Sequence, residues 1–309
     1  MEEKVIKRKV GKNKIQRRND WIFILSIVLW PIICWCTLYL GSMGNQFIIT
    51  FQNFDPLTNT FYWSGFNNIT DFVNDCFNDP ELTVAMGNSM ILYFINLLID
   101  MPIAIIVAYC IYKKVWGAGF FKVVLLLPSM ISSIIWVLIF KYFVEFGLPR
   151  VLNDPMMPSL ITTYETAFGT MIFYSEWIGL AGNLILYTGA MSRVPVSLVE
   201  YGKLDGLGAL KELWHLTIPL IFPTITVFLV TGIVGIFTSS NAAYSFYGQS
   251  APLSVYTSGY YFFIKVFHAT NYSEFPYVAA SSTVFTLVAT PITLFVKYML
   301  EKYGPNVEY

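Results

Sequence analysis

The chain has 309 residues, 56% of them hydrophobic and only 12% charged. Soluble domains carry about one quarter charged residues, so a soluble globular protein is excluded and an integral membrane protein is implied. Nineteen Lys/Arg balance nineteen Asp/Glu, but the zero total conceals a segregation of charge along the chain.

At roughly 20 apolar residues per span, the hydropathy predicts an all-α polytopic membrane bundle of about six spans. They run approximately Trp21–Leu40, Val84–Tyr112, Val123–Val144, Ala167–Met191, Ile218–Thr238 and Val278–Met299. The tail Met1–Asp20 holds eight Lys/Arg and three acids. The apolar run after it is too long and too aromatic for a secretory leader, and no small-residue cleavage site follows, so it reads as a retained first span over 21–40.

No Lys or Arg occurs from Trp21 to Tyr112, which assigns 41–83 to the outside. The segments then inferred as inner are the tail, Lys113–Lys122, Arg193–Lys211 and the stretch from Lys297. They hold 16 of the 19 Lys/Arg, leaving Lys141, Arg150 and Lys265. That bias places both termini, including 301–309, in the cytoplasm of a cell-membrane protein. The outer segment is aromatic and Asn/Asp-rich and is expected to hold structure of its own. Cys34, Cys36 and Cys110 lie in apolar runs and only Cys76 in an outer segment, so the four read as small hydrophobes and not as a disulfide or metal framework. The sequons at Asn68 and Asn271 carry no weight.

Between Met191 and Pro219 lies a polar, helix-breaking insert centred on Glu200-Tyr201-Gly202-Lys203-Leu204-Asp205-Gly206-Leu207-Gly208. Pro195 suits a first helical turn, and Ser197–Leu204 makes two turns. Asp205 is expected to cap a second helix, with Gly206 permitting the turn. Leu207, Leu210, Leu213 and Trp214 recur at helical spacing, with Lys211 and Glu212 on the opposite face. Pro219 and Pro223 are expected to break the next helix. The result is a protruding elbow, a handle for a partner; on pattern alone an interfacial amphipathic helix has the same look.

These residues resemble the Glu-Ala-Ala loop of permease subunits of binding-protein-dependent ABC importers. Glu200, Asp205, Gly206 and then Leu216-Thr217-Ile218-Pro219 with Pro223 stand at that family's spacing. Tyr201-Gly202 replaces its usual Ala-Ala and Leu207 its frequent Ala. Gly65–Asp79, Gly87-Asn88-Ser89, Gly119–Lys122 with Leu125–Pro128, and Trp177-Ile178-Gly179 extend the likeness over about Phe61–Leu300. They resemble the carbohydrate-uptake branch, similar to maltose-type and multiple-sugar permeases.

The resemblance implies a type I importer transmembrane domain over 84–300, with a cytoplasmic coupling loop at 192–217. Glu200, Lys203, Asp205, Gly206, Leu207, Leu210, Trp214 and Pro219 would seat against an ATPase. The implied partners are a second related permease, two cytoplasmic ATPases and an extracellular solute-binding protein, within membrane lipid. No Walker A lysine loop appears, so ATP and Mg belong to the partner ATPases and this chain carries no cofactor. His215 and His268 are isolated, with no HExxH or paired-acid constellation, so neither an enzyme nor a metal site is expected, nor a nucleic-acid partner. A non-sugar solute such as glycerol phosphate is the alternative. From a different class, a self-sufficient channel or secondary transporter is opposed by the elbow and by the absence of an inverted repeat.

The resemblance also maps a substrate path onto Ser129 and Ser133, onto Ser175, Glu176, Trp177, Gly179, Gly182 and Asn183, and onto Thr231. Sugar binding wants hydroxyl and amide partners with an aromatic face. Glu176 and Asn183 lie two turns apart on one helix face. Asp100, also inside a span, reads either as a substrate hydroxyl acceptor or as a helix-paired structural acid. The charge count predicts the labelling of reporter fusions: one placed after Tyr309 is expected in the cytoplasm and one inserted near Asn74 outside, and the opposite labelling of either would overturn this topology.

Overall fold

The computed structural model describes residues 14–269 and 272–305, with the side chains of 14–19 and 129 outside that description. The basic tail up to Asn13, the last residues 306–309, the Asn271 sequon and the side chain of Ser129 therefore lie outside the described residues.

Among the described residues, four helices are long and apolar enough to cross a membrane: α1 (Asp20–Thr50), α3 (Pro80–Tyr112), α8 (Ala209–Thr238) and α11 (Tyr272–Tyr303). A fifth crossing arises if α4 (Ala118–Met130) and α5 (Ser133–Val151), bent by 97°, count as one span. The α6 helix (Tyr164–Met191) has 28 residues, about 42 Å at 1.5 Å per residue. It is missing from the apolar set because it carries Glu176 and Asn183 midway. Its buried residues Ala167, Met171, Tyr174, Ala181, Leu184, Tyr187 and Met191 recur at three- and four-residue steps or their sum. That is the pattern of a helix packed inside a bundle.

Several boundaries depart from expectation: α8 starts at Ala209 and not Ile218, α11 runs over Tyr272–Tyr303, and the expected span Val123–Val144 is the bent pair α4 and α5. The first helix does not stop at Leu40 but runs through Gly41 and Gly44 to Thr50, since a backbone in hydrocarbon must satisfy its own hydrogen bonds and glycine does not prevent that. The second opens at Pro80 rather than Val84. Asp79 caps it, its Oδ1 accepting from the Glu81 N–H at 2.8 Å, with Pro80 in the first turn.

The segment between the first two apolar helices shrinks to 51–79 and is structured. A hairpin pairs β1 (Gln52–Asp55) with β2 (Thr60–Trp63), Gln52 opposite Trp63 and Asp55 opposite Thr60. A helix α2 (Asn67–Asn78) follows. The Asn68 amide is buried and donates to the carbonyls of Thr50 (3.1 Å) and Gln52 (2.6 Å), tying α2 to the end of α1.

Prolines shape the long helices. Three π-turns, Asn96–Asp100, Phe143–Gly147 and Leu213–Thr217, are each followed by one residue and then a proline: Pro102, Pro149 and Pro219. A proline removes one N–H, and its ring presses on the carbonyl four residues back. Those carbonyls belong to Leu98, Glu145 and His215, each inside its π-turn. Widening the helix there relieves the clash without ending the helix. So α8 is continuous through Pro219 and Pro223, against the expected break.

Beyond α6 come the elbow helix α7 (Val196–Leu204) and, after α8, two short helices, α9 (Ala243–Tyr247) and α10 (Ser258–His268). The core has three apolar clusters. One joins Ala104–Tyr109 of α3, Leu184–Met191 of α6 and Leu213–Ile225 of α8. A second joins Val137 and Phe140 of α5 with Met171 and Tyr174 of α6, Phe246 and Tyr260. The third joins Phe72, Leu82, Ala85, Phe262 and Phe285.

At the N-terminal end of α3, Tyr261 donates to Asp79 and Tyr277 to Asp75, both at 2.7 Å. Burial first, and then the Asp79 hydrogen bond, hold the Tyr261 phenol far above its ordinary range. The Lys265 ammonium stands 4.0 Å from the Tyr277 ring centre. Because Asp79 both caps α3 and receives Tyr261, Asp79→Ala is expected to cost about 2–4 kcal/mol. Tyr261→Phe, which spares the cap, is expected to cost about half as much. Unfolding temperatures of the purified protein order the two, and equal losses would remove the cap from the account.

Candidate functional site

Between the apolar clusters, each of α3, α6 and α8 carries polar or small residues on one face, alongside apolar ones such as Leu92 and Ile236. These residues meet around a cavity of about 230 Å³. The α3 helix supplies Ser89, Tyr93 and Asn96, at steps of four and three. The α6 helix supplies Ser175 and Glu176. The α8 helix supplies Gly232 and Gly235, with Ser239 and Asn241 just beyond it. The Tyr93 ring lies against Gly232, where an added Cβ would stand 2.9 Å from the ring. Hydroxyls, amides, a carboxyl and one aromatic face are thus collected in one space.

Beside the cavity, a polar cluster crosses from α3 to α6. Asp100 is buried, and its Oδ2 accepts from the Asn183 amide at 2.5 Å and the Asn96 amide at 3.4 Å. Of the two readings open for Asp100, the structure presents the helix-paired acid. Asn96 and Asp100 are the two ends of a π-turn. In Glu176, one carboxyl oxygen, Oε2, is buried without a hydrogen-bond partner.

The expected path residues therefore separate. Ser175 and Glu176 line the cavity. Asn183 does not: it is turned to Asp100. Trp177 packs edge-on against Trp136, ring centres 5.2 Å apart, on the α5 side. Gly179 and Gly182 are exposed on the outer surface of α6, with nothing within 4 Å of an added Cβ. Ser133 is exposed and lends only its carbonyl to Tyr174, and Thr231 is exposed with its hydroxyl turned back to the Val227 carbonyl. The physical reason is angular. Residues one apart on a helix point 100° away from each other, so Trp177 cannot share the face of Glu176. Ser89, Tyr93, Asn96, Gly232 and Gly235 were missed as cavity residues, although each set recurs at helical spacing within an apolar run.

The elbow begins with α7, which ends in a Schellman turn. The Leu207 N–H donates to the Gly202 carbonyl (3.0 Å) and the Gly206 N–H to the Lys203 carbonyl (3.1 Å). Gly206 has φ +75°, a conformation glycine adopts freely. A Cβ on Gly202 would lie 3.1 Å from the Leu207 side chain. The small residue at 202 and the large one at 207 are thus one packing unit.

Three expectations are corrected here. Asp205 ends α7 and does not cap α8; Gly208 precedes the latter. Glu212 is not on an open polar face: it is buried and ion-paired with Lys113, N to O 2.5 Å. Nor is the apolar stripe one surface. Leu213 is buried and Leu207 half-buried, while Leu204, Leu210 and Trp214 are 82%, 74% and 65% exposed. Glu200, Lys203, Asp205 and Gly206 are exposed around them, and Pro219 is half-buried within α8. The Tyr109 hydroxyl, on α3, donates to the Ala209 carbonyl at 3.0 Å. With the Lys113–Glu212 pair, it fixes the start of α8 to the end of α3.

Residues 100–309, more than half of the chain, match the family of binding-protein-dependent transport system inner membrane components. The chain is similar to the multiple sugar-binding transport system permease protein MsmF of Streptococcus mutans, 23% identical over 256 residues, covering 82% of this chain and 86% of that one. It is also similar to the sn-glycerol-3-phosphate transport system permease protein UgpA of Salmonella typhimurium, 22% identical over 231 residues, covering 70% and 73%. Its fold matches a chain in the crystal structure of a bacterial alginate ABC transporter in complex with an alginate pentasaccharide-bound periplasmic protein. The TM-score there is 0.73 at 18% identity, over 92% of this chain and 96% of that one. The fold is that of a type I ABC importer subunit, and the chain belongs to the inner membrane components of binding-protein-dependent transport systems.

Proposed function

We propose that this chain is one of two transmembrane subunits of an importer that moves a sugar or oligosaccharide into the cytoplasm. An extracellular binding protein delivers the solute, and two ATPase subunits, which hold ATP and Mg, seat against the elbow. The observation that carries this reading is the continuity of α8. One unbroken helix begins in the elbow at Ala209 and forms the cavity wall at Gly232 and Gly235. A displacement imposed at the elbow therefore reaches the cavity as a rigid-body motion.

The elbow's surface supports the ATPase contact. Tyr201, Leu204, Leu210 and Trp214 are exposed apolar side chains rimmed by Glu200, Lys203, Asp205 and Lys211, the composition of a protein-binding patch. The Lys/Arg distribution supports its cytoplasmic location and that of both termini. The cavity's hydroxyls and amides with the Tyr93 ring support a hydroxylated solute. The likeness to a glycerol-phosphate permease favours a second reading, in which the solute is a phosphorylated polyol.

Two outcomes test the coupling. Proline cannot take the φ of +75° at Gly206, so Gly206→Pro is expected to leave the subunit in the membrane while ATPase copurification and uptake both fall. Full retention of both would separate the elbow from the ATPase. For the clamp, Lys113→Met leaves the Glu212 carboxylate buried and unpaired. It is expected to destabilise the purified importer by about 3–5 kcal/mol, most of it recovered in Lys113→Met/Glu212→Gln. A double variant as unstable as the single one would show that the ion pair is not the anchor.

A further inference from the structure

The charge of the cavity wall narrows the solute class. Among the described residues the lining contains no Lys, Arg or His; its one ionisable carboxyl is that of Glu176. The neighbouring acid, Asp100, is held by two amides, Asn183 and Asn96, and by no cation. Resting on the reading of this cavity as the solute path, we infer that Glu176 makes the path selective for uncharged hydroxylated solutes and excludes phosphorylated and uronic-acid ones.

The physical argument has two sides. A phosphate or carboxylate stripped of water needs a counter-charge or a fork of donors, which Arg and Lys supply. Here it would meet a carboxyl group instead, in a space walled by Leu92, Ile236 and Tyr93, where charges are poorly screened. A neutral polyol meets the opposite situation. Its hydroxyls can exchange bonds with the Glu176 carboxyl and with Ser89, Ser175, Asn96 and Asn241, which line the space. Either protonation state of Glu176 bonds a hydroxyl, whereas its ionised form repels an anion. The glycerol-phosphate reading therefore finds no phosphate-binding group on this chain's share of the path.

The cavity's charge preference is measurable without knowing the solute. Gly235 lines the cavity, and an added Cβ there meets nothing within 4 Å. Gly235→Cys is placed in a background with Cys34, Cys36, Cys76 and Cys110 replaced, and the complete importer is assembled in nanodiscs. Its labelling by a cationic and by an anionic methanethiosulfonate reagent of similar size is then timed. The cationic reagent is expected to react roughly tenfold faster, the ratio falling to about threefold or less with Glu176→Gln. Equal rates, or a ratio unchanged by Glu176→Gln, overturn the charge selection and leave the path reading standing. Protection from both reagents in every nucleotide state overturns the path reading itself. In ATP-dependent uptake with the cognate binding protein, entry of a trigalacturonate or of sn-glycerol 3-phosphate would likewise overturn the exclusion of anions.

Discussion

The unbroken course of α8 is the constraint on which the rest of the molecule depends. A helix carrying Pro219 and Pro223 in its first half would ordinarily be cut there. The π-turn Leu213–Thr217 absorbs the Pro219 clash by widening the ladder. The elbow therefore stays part of the same rod as the cavity wall. Its first turn is clamped to α3 by the Tyr109 hydroxyl and the Lys113–Glu212 pair. The two helices that hold most of the cavity are thus joined at their elbow ends, and motion of one carries the other.

The same device recurs on α3. The π-turn Asn96–Asp100 precedes Pro102 and has a second effect there. It sets Asn96 and Asp100 together toward α6, where Asn183 completes the cluster. An acid in hydrocarbon is tolerated when donors surround it, and here the donors are amides from two helices. Lys141 is accommodated likewise, its ammonium donating to the Phe246 carbonyl at 3.0 Å. Glu176 differs from these groups in that its Oε2 is buried with no hydrogen-bond partner.

The apolar clusters explain why a cavity exists at all. On α3, α6 and α8 they grip the helices at both ends and leave the polar middle open. The α1 helix is the exception to this packing: from Trp21 to Phe47 its side chains are almost all exposed, as befits a span whose neighbours are lipid or another subunit. Its C-terminal end is fixed by Asn68 and by the hydroxyl pair of Thr50 and Thr283, 3.0 Å apart.

Much of this was legible in the residues themselves. Hydropathy located the helices, because each must bury about 20 apolar residues in hydrocarbon. The Asp205-Gly206 pair marked the turn, because few residues other than glycine adopt a φ near +75° cheaply. The family resemblance around Trp177-Ile178-Gly179 pointed to Ser175 and Glu176, and the cost of an acid inside a span marked Glu176. Three-dimensional packing decided what the pattern left open. Whether Glu212 faces water or Lys113, and whether Asn183 faces solute or Asp100, depends on which helix lies alongside, and a single helix's periodicity does not contain that. The long reach of α1, the rescue of Pro219 by a π-turn, and the meeting of Tyr93 with Gly232 are likewise tertiary facts. A sequence read one helix at a time lists polar residues; only the packing of three helices makes some of them partners of one another and others the lining of a shared cavity.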